Sequence, residues 1–251
     1  MITNKSLINW TVSAAAALGM LTSSHAVVVQ YFGEDLGLGE NTRLPAHPNA
    51  DTARDGFLSN LVGVGTEDFE GFAAGSSGPF LSTFSGAATA TLAGSGTVSS
   101  QPSGTNGVGR YPISGDQFYE TGSSDFNITF SDPVAAFGFY AVDVGDFNGQ
   151  VTLTLAGGGT TLLTVPNSTS VSGGGVLYFG YIDTENPFVS VSFGNTASGS
   201  DFFAFDDLTV GSVEQVQPTP VPDGSSTLAL GGLSLLGLAG MRRFLSTGKK
   251  D

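Results

Sequence analysis

From about Gly63 onward, apolar residues recur at every second position in short runs, and this period restricts the fold more than any other feature of the chain. Phe126, Ile128 and Phe130 alternate with Asn127 and Thr129; Val151, Leu153 and Leu155 alternate with Thr152 and Thr154; Val189, Val191 and Phe193 alternate with Ser190 and Ser192. Successive side chains of a strand point to opposite faces, so each run predicts a strand with one buried and one solvated face. Turn sequences separate the runs: Ser131-Asp132-Pro133, Gly145 to Gly149, Gly157-Gly158-Gly159, Gly173-Gly174-Gly175 and Thr184 to Pro187. The pattern predicts about ten to twelve short strands with hardly any helix between them. That excludes a parallel βαβ architecture and predicts an all-β, antiparallel sandwich of the jelly-roll type.

Upstream, Val27 to Phe32 reads as a further strand. In the polar stretch that follows, Asp51 is placed to cap a short helix whose Phe57, Leu58 and Leu61 share one face. The Gly/Ser/Thr-rich segment from Gly78 to Arg110 carries spaced Phe80, Leu81, Phe84, Leu92 and Val98, which predict edge strands rather than a linker. The sandwich is expected over residues 27–211, with a polar, proline-bearing linker over 212–220.

Both ends of the chain read as targeting segments. Lys5 precedes an apolar stretch of h-region length, and small residues lead up to Ala26, so residues 1–26 are expected to be a signal peptide cleaved after Ala26 by signal peptidase. Between residues 27 and 221 stand three basic residues, Arg43, Arg54 and Arg110, against twenty acidic ones, a formal charge of −17 with no lysine. Such a surface repels phosphate backbones and anionic headgroups, which argues against nucleic-acid partners. The chain has no cysteine, which excludes disulfides, thiolate metal sites and cysteine nucleophiles. An exported domain without staples depends on its own apolar core.

The C-terminal apolar run from Thr227 to Met241 would be about 22 Å long as a helix, against about 30 Å of bilayer hydrocarbon. Counted from Gly224 it reaches the lower limit for a short transmembrane helix, and Arg242, Arg243, Lys249 and Lys250 set the tail on the cytoplasmic side. Residues 221–243 resemble the PEP-CTERM family of bacterial sorting signals, and more closely its VPDSG variant. Val221, Pro222 and Asp223 match in order, Gly224-Ser225 stands reversed, and Arg242-Arg243 is the basic stop. The resemblance implies an exosortase substrate over 221–251, held in the inner membrane by its C-terminal helix before processing and then passed to the envelope or extracellular matrix. On this reading the domain is a structural or adhesive component there.

Two other classes bear on the domain itself. A carbohydrate-binding module contacting extracellular polysaccharide would need exposed aromatic platforms. Because Trp10 lies in the signal peptide, that role falls to Tyr111, Tyr119, Tyr140, Tyr178 or Tyr181. A glycosidase would need paired carboxylates such as Asp143 with Asp146, or Asp183 with Glu185. His47, the one histidine after the signal peptide, reads as a loop residue. Glu70, in the acidic run that opens an early strand, and Asp206-Asp207, which open the last strand before the linker, are expected to converge, because first and last strands of a jelly roll often lie adjacent. There they form a candidate structural Ca²⁺ site, a cation that takes six to eight oxygens.

Overall fold

The computed structural model describes residues 26–217, apart from 146–147, 170 and 194–200. The expected signal peptide over residues 1–26, apart from Ala26, and the C-terminal sorting segment therefore lie outside the described residues. The strands are β1 (Val28–Asp35), β2 (Gly65–Glu67), β3 (Phe80–Phe84), β4 (Ala88–Ala93), β5 (Thr97–Ser100), β6 (Gln117–Gly122), β7 (Asn127–Val134), β8 (Ala136–Val142), β9 (Gln150–Leu155), β10 (Thr160–Thr164), β11 (Val176–Asp183), β12 (Phe188–Ser192) and β13 (Phe202–Gly211), with one helix, α1 (Pro48–Leu58).

One sheet runs β1-β11-β8-β13-β6-β5, with β2 against the end of β13, and the other runs β10-β9-β12-β7-β4-β3. All pairings are antiparallel. Taken alone, β6 to β13 give β11-β8-β13-β6 facing β10-β9-β12-β7, the two interlocked Greek keys of an eight-stranded jelly roll. The expected architecture is the observed one, and its first and last strands, β6 and β13, are neighbours. The remaining five strands widen the sandwich.

Between the sheets lies a core dominated by phenylalanine. Phe205 is its hub, with ring centroids 4.9 Å from Phe126 and 5.0 Å from Phe139. Burial of such rings, at about 25 cal/mol per Å² of apolar area, stabilises a domain that has no disulfide. The inward phase of β12 differs from the strict alternation expected. A bulge between Phe188 and Ser190 puts Phe188 and Val191 in the core and leaves Val189 partly exposed. Likewise Leu81 of β3 points out, 67% exposed, while its neighbours Phe80 and Ser82 are buried.

The sandwich has a third layer that alternation alone does not foretell. Strands β8 and β11 are buried along their whole length on both faces. Phe137, Phe139, Leu177 and Phe179 enter the inter-sheet core, while Tyr140, Val142, Tyr178 and Ile182 join a second apolar cluster under α1. The helix is seated by glycine. Gly138 and Gly180 are register partners, and a Cβ on either would lie 2.9 or 2.8 Å from the Phe57 ring. A Cβ on Gly33 would overlap the Asn49 carbonyl of the helix.

Pro48 starts α1, where its missing N–H costs nothing, and Asp51 lies inside the first turn rather than at the cap. The capping acceptor comes from a strand. The Asp35 carboxylate at the end of β1 receives the backbone N–H groups of Asn49 (3.0 Å) and Ala50 (2.9 Å). No helix among the described residues is long and apolar enough to cross a membrane.

The chain does not leave the domain at Gly211, which corrects the expected start of the linker. Val213–Gln215 forms a 3-10 turn, Val216 bridges Leu61, and the Gln217 N–H donates to the Asn60 carbonyl at 2.7 Å. The Gln215 side chain donates to the carbonyls of Gly63 (2.8 Å) and Ser85 (3.0 Å) and accepts from the Ser212 N–H (3.1 Å). These polar residues read as linker in sequence because burial and hydrogen bonding, not hydropathy, hold them to the domain.

Candidate functional site

The acidic residues singled out in sequence do converge, and what they converge on is a loop. β2 pairs with β13 through Glu67 and Leu208, which brings the early acidic run beside the last strand. From there Glu70 accepts the backbone N–H groups of Asp116 (2.7 Å) and Gln117 (2.6 Å) through one oxygen. Fully buried Asp206 accepts from Ile113 (2.7 Å) and Ser114 (3.3 Å) through Oδ2, and from Asp207 (2.8 Å) through Oδ1. Asp207 accepts the Ser114 hydroxyl at 2.6 Å. The three carboxylates thus clamp residues 113–117, and Gly115, at φ +56°, passes where a side chain would overlap Glu70.

This donor set does not fit a calcium ion. Both oxygens of Asp206 and one each of Glu70 and Asp207 already accept N–H or O–H groups, and no group of three or more His, Asp or Glu side chains among the described residues could hold a metal. Adding EDTA to the purified domain is therefore expected to leave its melting temperature unchanged. A chelator-induced drop of several degrees would put a cation among these oxygens after all.

Asp206 and Asp207 sit where β13 shifts register against β8, and Asp207 has φ +49°, a left-handed conformation that aspartate tolerates better than most residues. Burial raises both carboxyls above the ordinary range. The neighbouring Asp207 charge adds to the effect at Asp206, whereas at Asp207 the Ser114 hydrogen bond opposes it and the Asp68 charge adds to it. Next to them His47 Nδ1 lies 3.0 Å from Asp51 Oδ1, and the same oxygen receives the Tyr140 hydroxyl at 2.6 Å. Arg54 lies over the Tyr140 ring at 5.9 Å. Burial, then the hydrogen bond to Asp51, holds the Tyr140 hydroxyl well above the usual phenol value, so it stays a donor. The cluster joins α1, β8 and the β13 bulge through partnered groups.

The other sequence candidates are also occupied. Tyr111, Tyr119, Tyr140, Tyr178 and Tyr181 are all 6% exposed or less, which removes them as stacking platforms for sugar. Asp183 closes a turn by accepting from Glu185 (3.0 Å) and Asn186 (2.8 Å), and it receives the Tyr181 hydroxyl. Burial, followed by the Asp183 charge, pushes Tyr181 up to about 12. Asp143 accepts from the Gly174 N–H at 3.0 Å, and Asp146 lies outside the described residues.

Sequence reasoning passed over the arginines, although three in so acidic a stretch invite attention. Arg110, 14% exposed, faces Glu120 (2.9 Å), Asp143 (3.5 Å) and Asp201 (3.5 Å). Arg54 pairs with Asp51 and Asp55, and Arg43 lies over the Tyr111 ring and donates to the Pro112 carbonyl. Among the described residues every arginine is thus tied to the domain's own groups, which leaves an acidic exterior.

Fold and site together define an acidic jelly-roll domain whose conspicuous polar groups hold its own loops. What lies C-terminal to it gives its class. Residues 220–244 match the VPDSG-CTERM motif, the PEP-CTERM-type sorting signal read by exosortase, which makes this an exported, envelope-directed protein. No curated protein matches the chain. Among solved structures, the K2 cleaved adhesin domain of Lys-gingipain (Kgp) is similar over 59% of this chain and 97% of its own, at 14% identity and a TM-score of 0.36. So low a score carries no argument, and the sandwich rests on the strand pairings above.

Proposed function

We propose that the protein is a non-catalytic structural or adhesive component of the cell envelope or extracellular matrix, delivered by a signal peptide and released from its membrane tail by an exosortase. The observation that carries this is the VPDSG-CTERM match at residues 220–244, directly behind the clamped end of the jelly roll. A contact role is supported by the outer face of the second sheet. Thr91, Thr129, Ser190, Thr154 and Thr160 are register neighbours across five strands and form a row of hydroxyls without charge. In a domain this acidic, an uncharged face can approach a neutral or anionic polymer without the repulsion that the rest of the surface meets.

The test is the intact mass of the protein recovered from its native host, with the cell fraction in which it is found. A mass beginning at Val27 and ending within residues 221–225, in the envelope or medium, is the expected result. A mass that retains Arg242 to Asp251 in the inner membrane would overturn it and leave a membrane-tethered domain.

A further inference from the structure

Gln217, the last described residue, is bonded to the domain, and the sorting match begins at residue 220. An extended chain advances at most about 3.6 Å per residue, so Val221 lies within about 14 Å of the Gln217 anchor. The anchor is tied to the domain, because Gln215 donates to the Gly63 and Ser85 carbonyls, and Val62 N–H donates to the Gln215 carbonyl at 2.9 Å. A peptidase that takes the motif in extended form, as its proline favours, must therefore bring its cleft to the surface around this exit.

That surface has an unusual composition for so acidic a domain. The turn after α1 exposes Val62 (53%), and the paired segment exposes Val213 (37%), both beside the exit. Glu214 stands between Val213 and the anchor, fully exposed, and its charge disfavours seating this face on anionic lipid. A protein occupant fits better than the bilayer. We propose that Val62 and Val213 form a docking surface for the membrane peptidase that processes residues 220–244, engaged while the motif occupies its cleft. This inference rests on the sorting function proposed above.

The experiment follows conversion of precursor to mature protein by pulse-chase in the native host, using the full chain. Val62→Asp is expected to slow conversion about fivefold or more, the effect of losing one substantial interface contact. Leu81→Asp, on the outward face of β3 and more exposed than Val62, serves as the control and should convert at the wild-type rate. Inserting a flexible ten-residue Gly/Ser segment after Gln217 should shrink the Val62→Asp penalty, because docking then no longer delivers the motif. Melting of the purified Val62→Asp domain, expected to match wild type, separates docking from folding. Conversion of Val62→Asp at the wild-type rate, or equal slowing by Leu81→Asp, would overturn the docking surface while leaving the sorting function intact. A wild-type chain that is never converted would overturn the sorting function itself.

Discussion

Phe57→Ala is expected to lower the unfolding free energy by about 3–5 kcal/mol, which in a domain of this size moves the melting temperature down on the order of 10 °C. Phe57 is fully buried and is the largest side chain that α1 packs onto the sheet, with Tyr31 and Tyr178 each 5.9 Å away ring to ring. The paired glycines 138 and 180 lie against the ring and bring no side chain of their own to fill the cavity its loss would leave, which Tyr31 and Tyr178 border from the sheet. The reverse change tests the same fit. Gly180→Ala puts a methyl 2.8 Å from the ring, and its cost should shrink when combined with Phe57→Ala, a coupling that distant sites would not show. Leu81→Ala, at an exposed edge, should stay within about 0.5 kcal/mol of wild type. Urea unfolding of the four variants decides this. A loss below about 1 kcal/mol for Phe57→Ala would mean that the outer layer contributes little to stability.

That outer layer also marks where sequence reading stops. Strands with one wet face, such as β7 and β9, were legible because Asn127, Thr129, Thr152 and Thr154 interrupt the apolar residues at the strand period. β8 and β11 have no wet face, so their apolar residues run on without a period, and the division of Phe137, Phe139, Phe179 and Tyr181 to one side and Tyr140 and Tyr178 to the other is not marked by residue type. Burial of Tyr111, Tyr140 and Tyr178 follows from the same layer, since α1 and its loops cover a sheet face that a two-layer sandwich would expose, whereas Tyr119 and Tyr181 lie in the inter-sheet core. The acidic residues were legible as neighbours but not in their role. Strand order predicts that Glu70 and Asp206 approach each other, whereas the N–H groups they accept belong to a loop whose path no periodicity encodes. The clamp made by Gln215 is illegible for a related reason, as a buried glutamine and a linker glutamine look alike until their partners are in place.

Asp206→Ala and Asp207→Asn, one residue apart, are expected to act in opposite directions. Truncating Asp206 leaves the N–H groups of Ile113, Ser114 and Asp207 without their acceptor at a fully buried position, a loss of about 2–4 kcal/mol that is largest at acid pH. Asn at position 207 keeps an acceptor for the Ser114 hydroxyl and tolerates φ +49°, while it removes a charge that burial and Asp68 both oppose. The pH dependence follows from the direction of the shifts. Both carboxyls are raised above the unfolded value near 4, so the native state holds its protons to higher pH than the unfolded chain. The stability these groups contribute is complete below that value and is lost as pH rises through their folded pKa values. Wild-type protein should therefore be less stable at pH 8 than at pH 5, and repulsion among the remaining acidic groups acts in the same sense. The comparison that isolates the pair is between slopes: Asp207→Asn should reduce the fall from pH 5 to pH 8 and exceed wild type in stability at pH 8. Equal slopes in urea unfolding would mean that Asp207 carries its charge without cost, and that the buried carboxyls of the β13 bulge are fully compensated by the loop they clamp.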